Sequence, residues 1–302
     1  MKVSFRKVYF SDVDEILNLF YKFFEIKLSK KYYLSRYCNF KTINCYVAVL
    51  ENKIVGHVGF IKNKINLSSN FNYYVFSRHT SMIAKKHRRL GIYKDLCNFS
   101  YNLLKQKNVL GVVTFPNKDN LLAVNQKYQS INLNNKILYF YKSKNKLNRS
   151  YNKKLNLCIL KKLIKLQKND YFFVKKINYY KKNYLNLSLN KFYYFSVNNL
   201  FLINNIKKYK KKYYVNILES PTLNINSMIL FKKFFEYFGN KYIINIWIDK
   251  ILKNKKYIKN LNLKKTNNTF VINLIPFKKK LIKFIDNKNF SMGDTDVFHV
   301  IN

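Results

Sequence analysis

The sequence predicts an α/β protein built as two successive units, each of mixed strands and flanking helices. Three observations lead there. Short apolar runs of strand character alternate with amphipathic runs at helical spacing. The 302 residues suit two units of ordinary domain size. The order of strand-like and helical runs in the second half roughly repeats the first. The expected units are residues 1–145 and 146–302, and the polar stretch 142–154 is the connection. A hydrophobic content of 48% with 18% aromatics provides for real cores and argues against disorder.

In the first unit, residues 3–9 alternate as a strand. Ser11 or Asp12 can cap the next helix, and Asp12 followed by Glu15 fits a capping box. Ile16, Leu17, Leu19, Phe20, Phe23 and Phe24 give that helix its apolar face. A less regular helix covers residues 30–38. Residues 45–50 and 54–61 read as a hairpin about a turn at 51–53. Gly56 and Gly59 inside its second strand mark a bulge or a close backbone approach. Residues 73–84 form the next strand, and the helix after Gly91 runs to about residue 107. Residues 109–115 are again a strand. Pro116 and Asn117 open a loop, Asn120 starts a short helix to 127, and residues 137–141 close the unit. In the second unit, strands are expected at 171–174, 192–197, 213–218, 243–248 and 270–274. Helices are expected at 224–238 and 278–285.

The chain carries 58 Lys and Arg against 14 Asp and Glu, a formal charge of +44. Lysine occupies nearly every polar face, and only Arg6, Arg36, Arg78, Arg88, Arg89 and Arg149 are arginine. No single face is marked out as a nucleic-acid footprint, so compositional drift along the whole chain is the reading of the charge. It still attracts polyanions non-specifically, in a salt-dependent way. The four cysteines form no CxxC pair, and His57, His79, His87 and His299 complete no zinc set. No metal is expected, and the cysteines read as buried free thiols in a reducing compartment. No apolar run suits a signal peptide or a transmembrane helix, so the expected location is the cytoplasm.

The chemistry-bearing segment is HTSMIAKKHRRLGIYKDL, residues 79–96. A strand enters a cationic turn, a glycine follows, and an amphipathic helix begins. Amide groups at a helix start lack internal partners and point outward, so this order builds an anion site.

Taken with the hairpin AVLENKIVGHVGF before it and VVTFPNKDNLLAVNQKY after it, this segment resembles the GCN5-related N-acetyltransferases. The family's loop reads Gln or Arg, two residues, Gly, one residue, then Gly or Ala. Arg88 and Gly91 match it, and Tyr93 stands where a small residue is usual. A subgroup has an aromatic there and an FPN run followed by another Asn, as in residues 115–120. Some of its members are two-domain enzymes of surface-polysaccharide synthesis, and NFSMGDTDVF at residues 289–298 is similar to their ends. The resemblance is strong over residues 45–128 and weak over 150–285.

The resemblance implies an acetyltransferase-like mixed sheet, followed by a second, degenerate acetyltransferase-like unit. It implies acetyl-CoA, or another acyl-CoA, as acyl donor. The pyrophosphate would lie on the amides of Arg88, Arg89, Leu90, Gly91, Ile92 and Tyr93. Pantetheine would lie between two splayed parallel strands, with an amide near Ile83 holding the thioester carbonyl. Asn117 and Asn120 are implied cofactor contacts, or else they end the strand and cap the helix. Tyr128 is placed as the acid that protonates the leaving thiolate. His79 is the first candidate for the general base, since no carboxylate lies on the 79–84 strand; the bland reading makes it structural. Asp294 and Asp296 flank Thr295 and would orient an amine or a sugar hydroxyl, or simply stabilise a turn. The second unit lacks the basic loop, so it would bind no cofactor and would shape the acceptor pocket. The implied reaction is N-acetyl transfer by direct attack of an amine, such as an amino sugar or its nucleotide-linked form. Two other readings stay open: an RNA- or polyanion-binding protein, and an acetyltransferase fold that kept interactions but lost turnover.

Overall fold

The computed structural model describes residues 2–39, 42–65, 73–105, 108–116, 128, 130–142, 154–165, 184, 191–198, 200–209, 211–221, 223, 225–238, 242–249 and 255–277. Strand β1 (Ser4–Lys7) leads through a short 3₁₀ turn into α1 (Val13–Phe24). The expected capping box does not form. Asp12 turns back instead, accepting from the Tyr9 amide at 2.7 Å and from both terminal nitrogens of Arg6 at 2.6 and 2.9 Å. Glu15 reaches across to the Ile54 amide at 2.8 Å, tying α1 to the hairpin. The helix buries Val13, Ile16, Leu19 and Phe20, and ends where Glu25 takes a left-handed conformation. Helix α2 (Lys30–Tyr37) follows, then a small pair, β2 (Cys38–Asn39) and β3 (Thr42–Ile43).

The hairpin is β4 (Cys45–Leu50) and β5 (Lys53–Lys64), and β6 (Tyr74–Ile83) pairs antiparallel with β5. Helix α3 (Ile92–Leu104) crosses to β7 (Val109–Thr114), which is parallel to β6, and β8 (Ile131–Lys142) follows. The second half contains α4 (Leu157–Lys165), β9 (Phe192–Val197), β10 (Leu200–Tyr209) and β11 (Lys212–Glu219). It continues with α5 (Met228–Glu236), β12 (Tyr242–Asp249), α6 (Lys255–Asn260) and β13 (Lys264–Pro276).

Among the described residues, eleven strands form one continuous sheet in the order β1-β4-β5-β6-β7-β13-β8-β12-β11-β10-β9. The order exposes a repeat. β4, β5, β6, α3 and β7 are matched by β9, β10, β11, α5 and β12, with antiparallel, antiparallel and parallel pairings in both. The closing strands are exchanged. β8 pairs with β12, β13 pairs with β7, and β8 and β13 pair with each other. One apolar cluster runs along one face of the sheet from α1 and α2 to α4. Two more lie on the opposite face, beneath α3 and beneath α5.

Several elements differ from expectation. β10 has no counterpart in the sequence reading, because LFLINNIKKY mixes apolar residues with asparagine and lysine. Those asparagines are interior. Asn216 donates to Asn205 at 3.0 Å and Asn245 donates to Asn216 at 2.8 Å, so cross-strand amides replace apolar contacts. α4 and α6 were also not expected, and α3 ends at Leu104 rather than near 107. Cys45 and Cys97 are buried as expected, whereas Cys158 is exposed on α4, correcting that reading. The expected strand at 171–174 and helix at 278–285 lie outside the described residues. No helix of the described residues is long and apolar enough to cross a membrane.

Candidate active site

β6 organises the site. Its β5 side is paired from Lys64↔Tyr74 to Gly56↔Ile83. Its other side pairs with β7 only through Tyr74↔Val109, Phe76↔Val112 and Ser77↔Val113. Beyond Ser77, among the described residues, that edge of β6 has no strand partner. The Ala84 amide donates to the Val55 carbonyl at 2.8 Å, toward β5. Backbone groups alternate along a strand, so the amide of Ile83 points to the open side. Gly56 permits this packing, since a Cβ there would lie 2.5 Å from Ile83 Cδ1.

A bulge bends β6 where the opening begins. The register with β5 shifts between His57 and Gly59, and Thr80 adopts φ 41°. Three side chains hold it. The Tyr37 hydroxyl lies 2.7 Å from Thr80 Oγ1, His57 Nδ1 lies 2.9 Å from the Thr80 carbonyl, and the Tyr33 hydroxyl lies 2.9 Å from His57 Nε2. A carbonyl can only accept, so Nδ1 carries the proton and Nε2 accepts from Tyr33. The ring is therefore neutral. Burial pushes its pKa down to about 4, partly opposed by the bond to Thr80. Gly59 leaves room for this group, as a Cβ there would sit 2.7 Å from the Tyr37 ring.

The cationic turn follows. Lys85–His87 form a 3₁₀ turn, Arg88 is extended, and Arg89 and Gly91 take φ 66° and 77°. The chain thus wraps round the start of α3 with Arg88, Arg89, Leu90 and Gly91 exposed and Ile92 buried. Gly91 has open space around it, so its conformation and not crowding favours glycine. Arg88 has a definite pose. Its Nε donates to the Ile83 carbonyl at 3.3 Å, and its guanidinium lies 4.7 Å over the Phe23 ring of α1. A cavity of 830 Å³ adjoins this turn, with Glu15, Lys22, Phe23, Glu51 and Arg88 among its walls.

The two faces of β6 carry different chemistry. His79 is buried on the α1 and α2 side, 6.5 Å from the Phe115 ring. Arg78 points to the α3 side. Its Nη1 donates to the Tyr101 hydroxyl at 2.7 Å and lies 3.9 Å from Cys97 Sγ, and its guanidinium lies 5.7 Å from the Tyr93 ring centroid. Tyr93 is turned inward against Ser81, and burial pushes its pKa up to about 12, with Arg78 opposing. The atypical aromatic in the loop motif is thus part of the floor beneath the turn. Tyr128 is half-buried, edge-on to Tyr101 at 5.4 Å. Burial raises its pKa, and the neighbouring Arg78 opposes this rise. Ile83 and the 88–93 turn thus adjoin the open edge of β6, while His79 and Tyr128 lie on opposite faces of the sheet. Asn117, Asn120, Asp294 and Asp296 lie outside the described residues. Arg78, Tyr101, Thr114 and the Tyr33–His57–Thr80 group escaped the sequence reading. An arginine inside an apolar strand, in a chain with so few arginines, was the available signal for Arg78.

No family model matches the sequence, and no curated protein matches it either. Solved structures do match. A GCN5-related N-acetyltransferase from Anabaena variabilis ATCC 29413 aligns with a TM-score of 0.65 at 11% identity, over 90% of this chain and 72% of that one. One from Kribbella flavida aligns with a TM-score of 0.60 at 8% identity, over 91% and 72%. Eis1 from Mycobacterium abscessus aligns with a TM-score of 0.61 at 7% identity, over 91% and 74%. At such identities the likeness speaks for the fold. This chain has the fold of the GCN5-related N-acetyltransferases, as two mixed α/β halves in tandem, each flanked by helices.

Proposed function

We propose that the chain is an acyl-CoA-dependent acyltransferase that moves an acetyl group to an amine. The observation that carries this reading is the early end of the β6–β7 pairing at Ser77↔Val113, directly behind the turn that opens α3. An open strand edge offers amide and carbonyl groups to an extended ligand, and the helix start offers amides and charge to a pyrophosphate. Two details favour such a ligand. The Ile83 amide faces the open side, and the fully buried Thr114 Oγ1, at the end of β7, has no hydrogen-bond partner among the described residues. Bound acyl-CoA would supply an activated acyl group.

The chain's own residues divide the remaining work. The amides of Arg88, Arg89, Leu90, Gly91, Ile92 and Tyr93 hold the pyrophosphate. The Ile83 amide polarises the carbonyl. His79 takes the proton of the attacking amine, and Tyr128 gives its hydroxyl proton to sulfur. Asn117 and Asn120 contact the donor, while Asp294 and Asp296 orient the acceptor. An amino sugar or its nucleotide-linked form is the leading acceptor class, as in the surface-polysaccharide subgroup, and residues 146–302 contribute to its pocket. The cytoplasm is the proposed location.

Calorimetric titration with acetyl-CoA at low and high salt tests the reading, with Gly91→Trp as the control. Trp at 91 has space but the wrong backbone preference, and it places an indole before the α3 amides. Saturable 1:1 binding that survives salt and is lost in G91W is expected. Heat that fades with salt and ignores the substitution would leave only charge attraction, and would favour the polyanion-binding reading.

A further inference from the structure

We propose that Arg78 is an electrostatic positioning residue for the leaving-group end of the cleft, stabilising the thiolate of CoA and the phenolate of Tyr128. The proposal rests on the acyl-CoA reading above. Arg78 is the first residue of β6 beyond the last pair with β7, Ser77↔Val113. Continuing that register places Thr114 as its neighbour across the opening, on the same face of the sheet. Arg78 thus leaves the sheet where the two strands begin to part, with its guanidinium on the α3 face.

Its surroundings do not explain it as a structural ion. Among the described residues no carboxylate lies within ion-pair distance of Arg78. Its neighbours are the Tyr101 hydroxyl, the Cys97 sulfur and the Tyr93 ring. A half-buried cation without a counter-charge is expensive, and an apolar residue would suit a strand that carries Phe76 and Ile83 on the same face. Such a cation becomes useful when negative charge arises nearby. Tyr101 links it to Tyr128 through their ring contact at 5.4 Å. When the C–S bond breaks, its electron pair stays on sulfur. The Tyr128 hydroxyl proton moves to that sulfur, the phenolate lies in the field of Arg78, and a proton from solvent restores the phenol. The amine proton leaves through the general base, so charge and protons balance. Burial alone makes Tyr128 a reluctant donor, and Arg78 opposes that effect.

The test needs no acceptor. The ionisation of the CoA thiol is followed by thiolate ultraviolet absorbance across pH, free and bound to the protein, with binding measured separately by calorimetry. Wild type is expected to lower the thiol pKa by about one unit or more, roughly a tenfold gain in thiolate fraction below that pKa. Arg78→Gln keeps a hydrogen-bonding group without charge and should abolish the shift while CoA still binds. Arg78→Lys should retain part of it. An unshifted thiol in wild type overturns the proposal even if R78Q does not fold, and so does an equal shift in a folded R78Q. Absence of salt-resistant CoA binding would instead sink the acyl-CoA reading, and this proposal with it.

Discussion

His57 has both ring nitrogens engaged, by Tyr33 and by the Thr80 carbonyl, and it is fully buried. Protonation would place a second donor against the Tyr33 hydroxyl and a charge in a desolvated site. Its folded pKa of about 4 lies below the ordinary histidine value of about 6.5. The unfolded chain therefore binds more protons between those pH values. The contribution to stability is complete above about pH 6.5 and is lost as pH falls through the folded pKa. The expected loss is on the order of 3 kcal/mol from this residue. Denaturant unfolding of wild type and His57→Gln at stepped pH measures it: the variant should start less stable and lose less on acidification. Equal acid slopes would reject the assignment. None of this was legible in the sequence, where His57 was only one of four histidines, because its state depends on Tyr33, which is distant along the chain.

At the scale of elements, the decisive feature is how β13 reaches β7. A Cβ on Gly111 would collide with the Ile275 carbonyl and stand 3.0 Å from Pro276 Cα. Both are backbone atoms and cannot swing aside. Gly111→Ala is therefore expected to cost about 1–3 kcal/mol, as overpacking does. Gly56→Ala should cost less, since its obstacle is the tip of Ile83. Thermal unfolding of both variants gives the comparison, and a harmless G111A would mean that β13 is held loosely. Strands that are continuous apolar runs, such as β4 and β7, were legible from those runs, as was the turn before α3. β10 was not, because buried asparagines interrupt its apolar run: Asn205 is answered by Asn216 across the strand, a partner invisible locally, and the Asn204 side-chain amide has no hydrogen-bond partner among the described residues. The opening beside β6 was legible only through family resemblance, since no residue pattern states where a parallel pair stops.

The whole molecule carries its +44 charge over nearly every polar face, so binding to heparin or RNA should weaken steeply with salt. Acetyl-CoA binding at the α3 turn should weaken much less, and salt series of both titrations separate the two. The two-unit reading foresaw the repeat but not the exchange of closing strands, which only long-range pairing decides. From that exchange we expect residues 1–145 alone to be poorly soluble, with co-expression of 146–302 restoring them; solubility of the fragment by itself would contradict this. The exchange also sets a timetable for synthesis. A ribosome makes the chain from its N-terminus, and domains usually fold as they emerge. Here β7 is finished at Thr114, yet its neighbour is complete only at Pro276. For roughly half of translation the nascent first half carries the outer edge of β7 bare, open to other chains. Holding that edge until the closing strand arrives would be work for a chaperone.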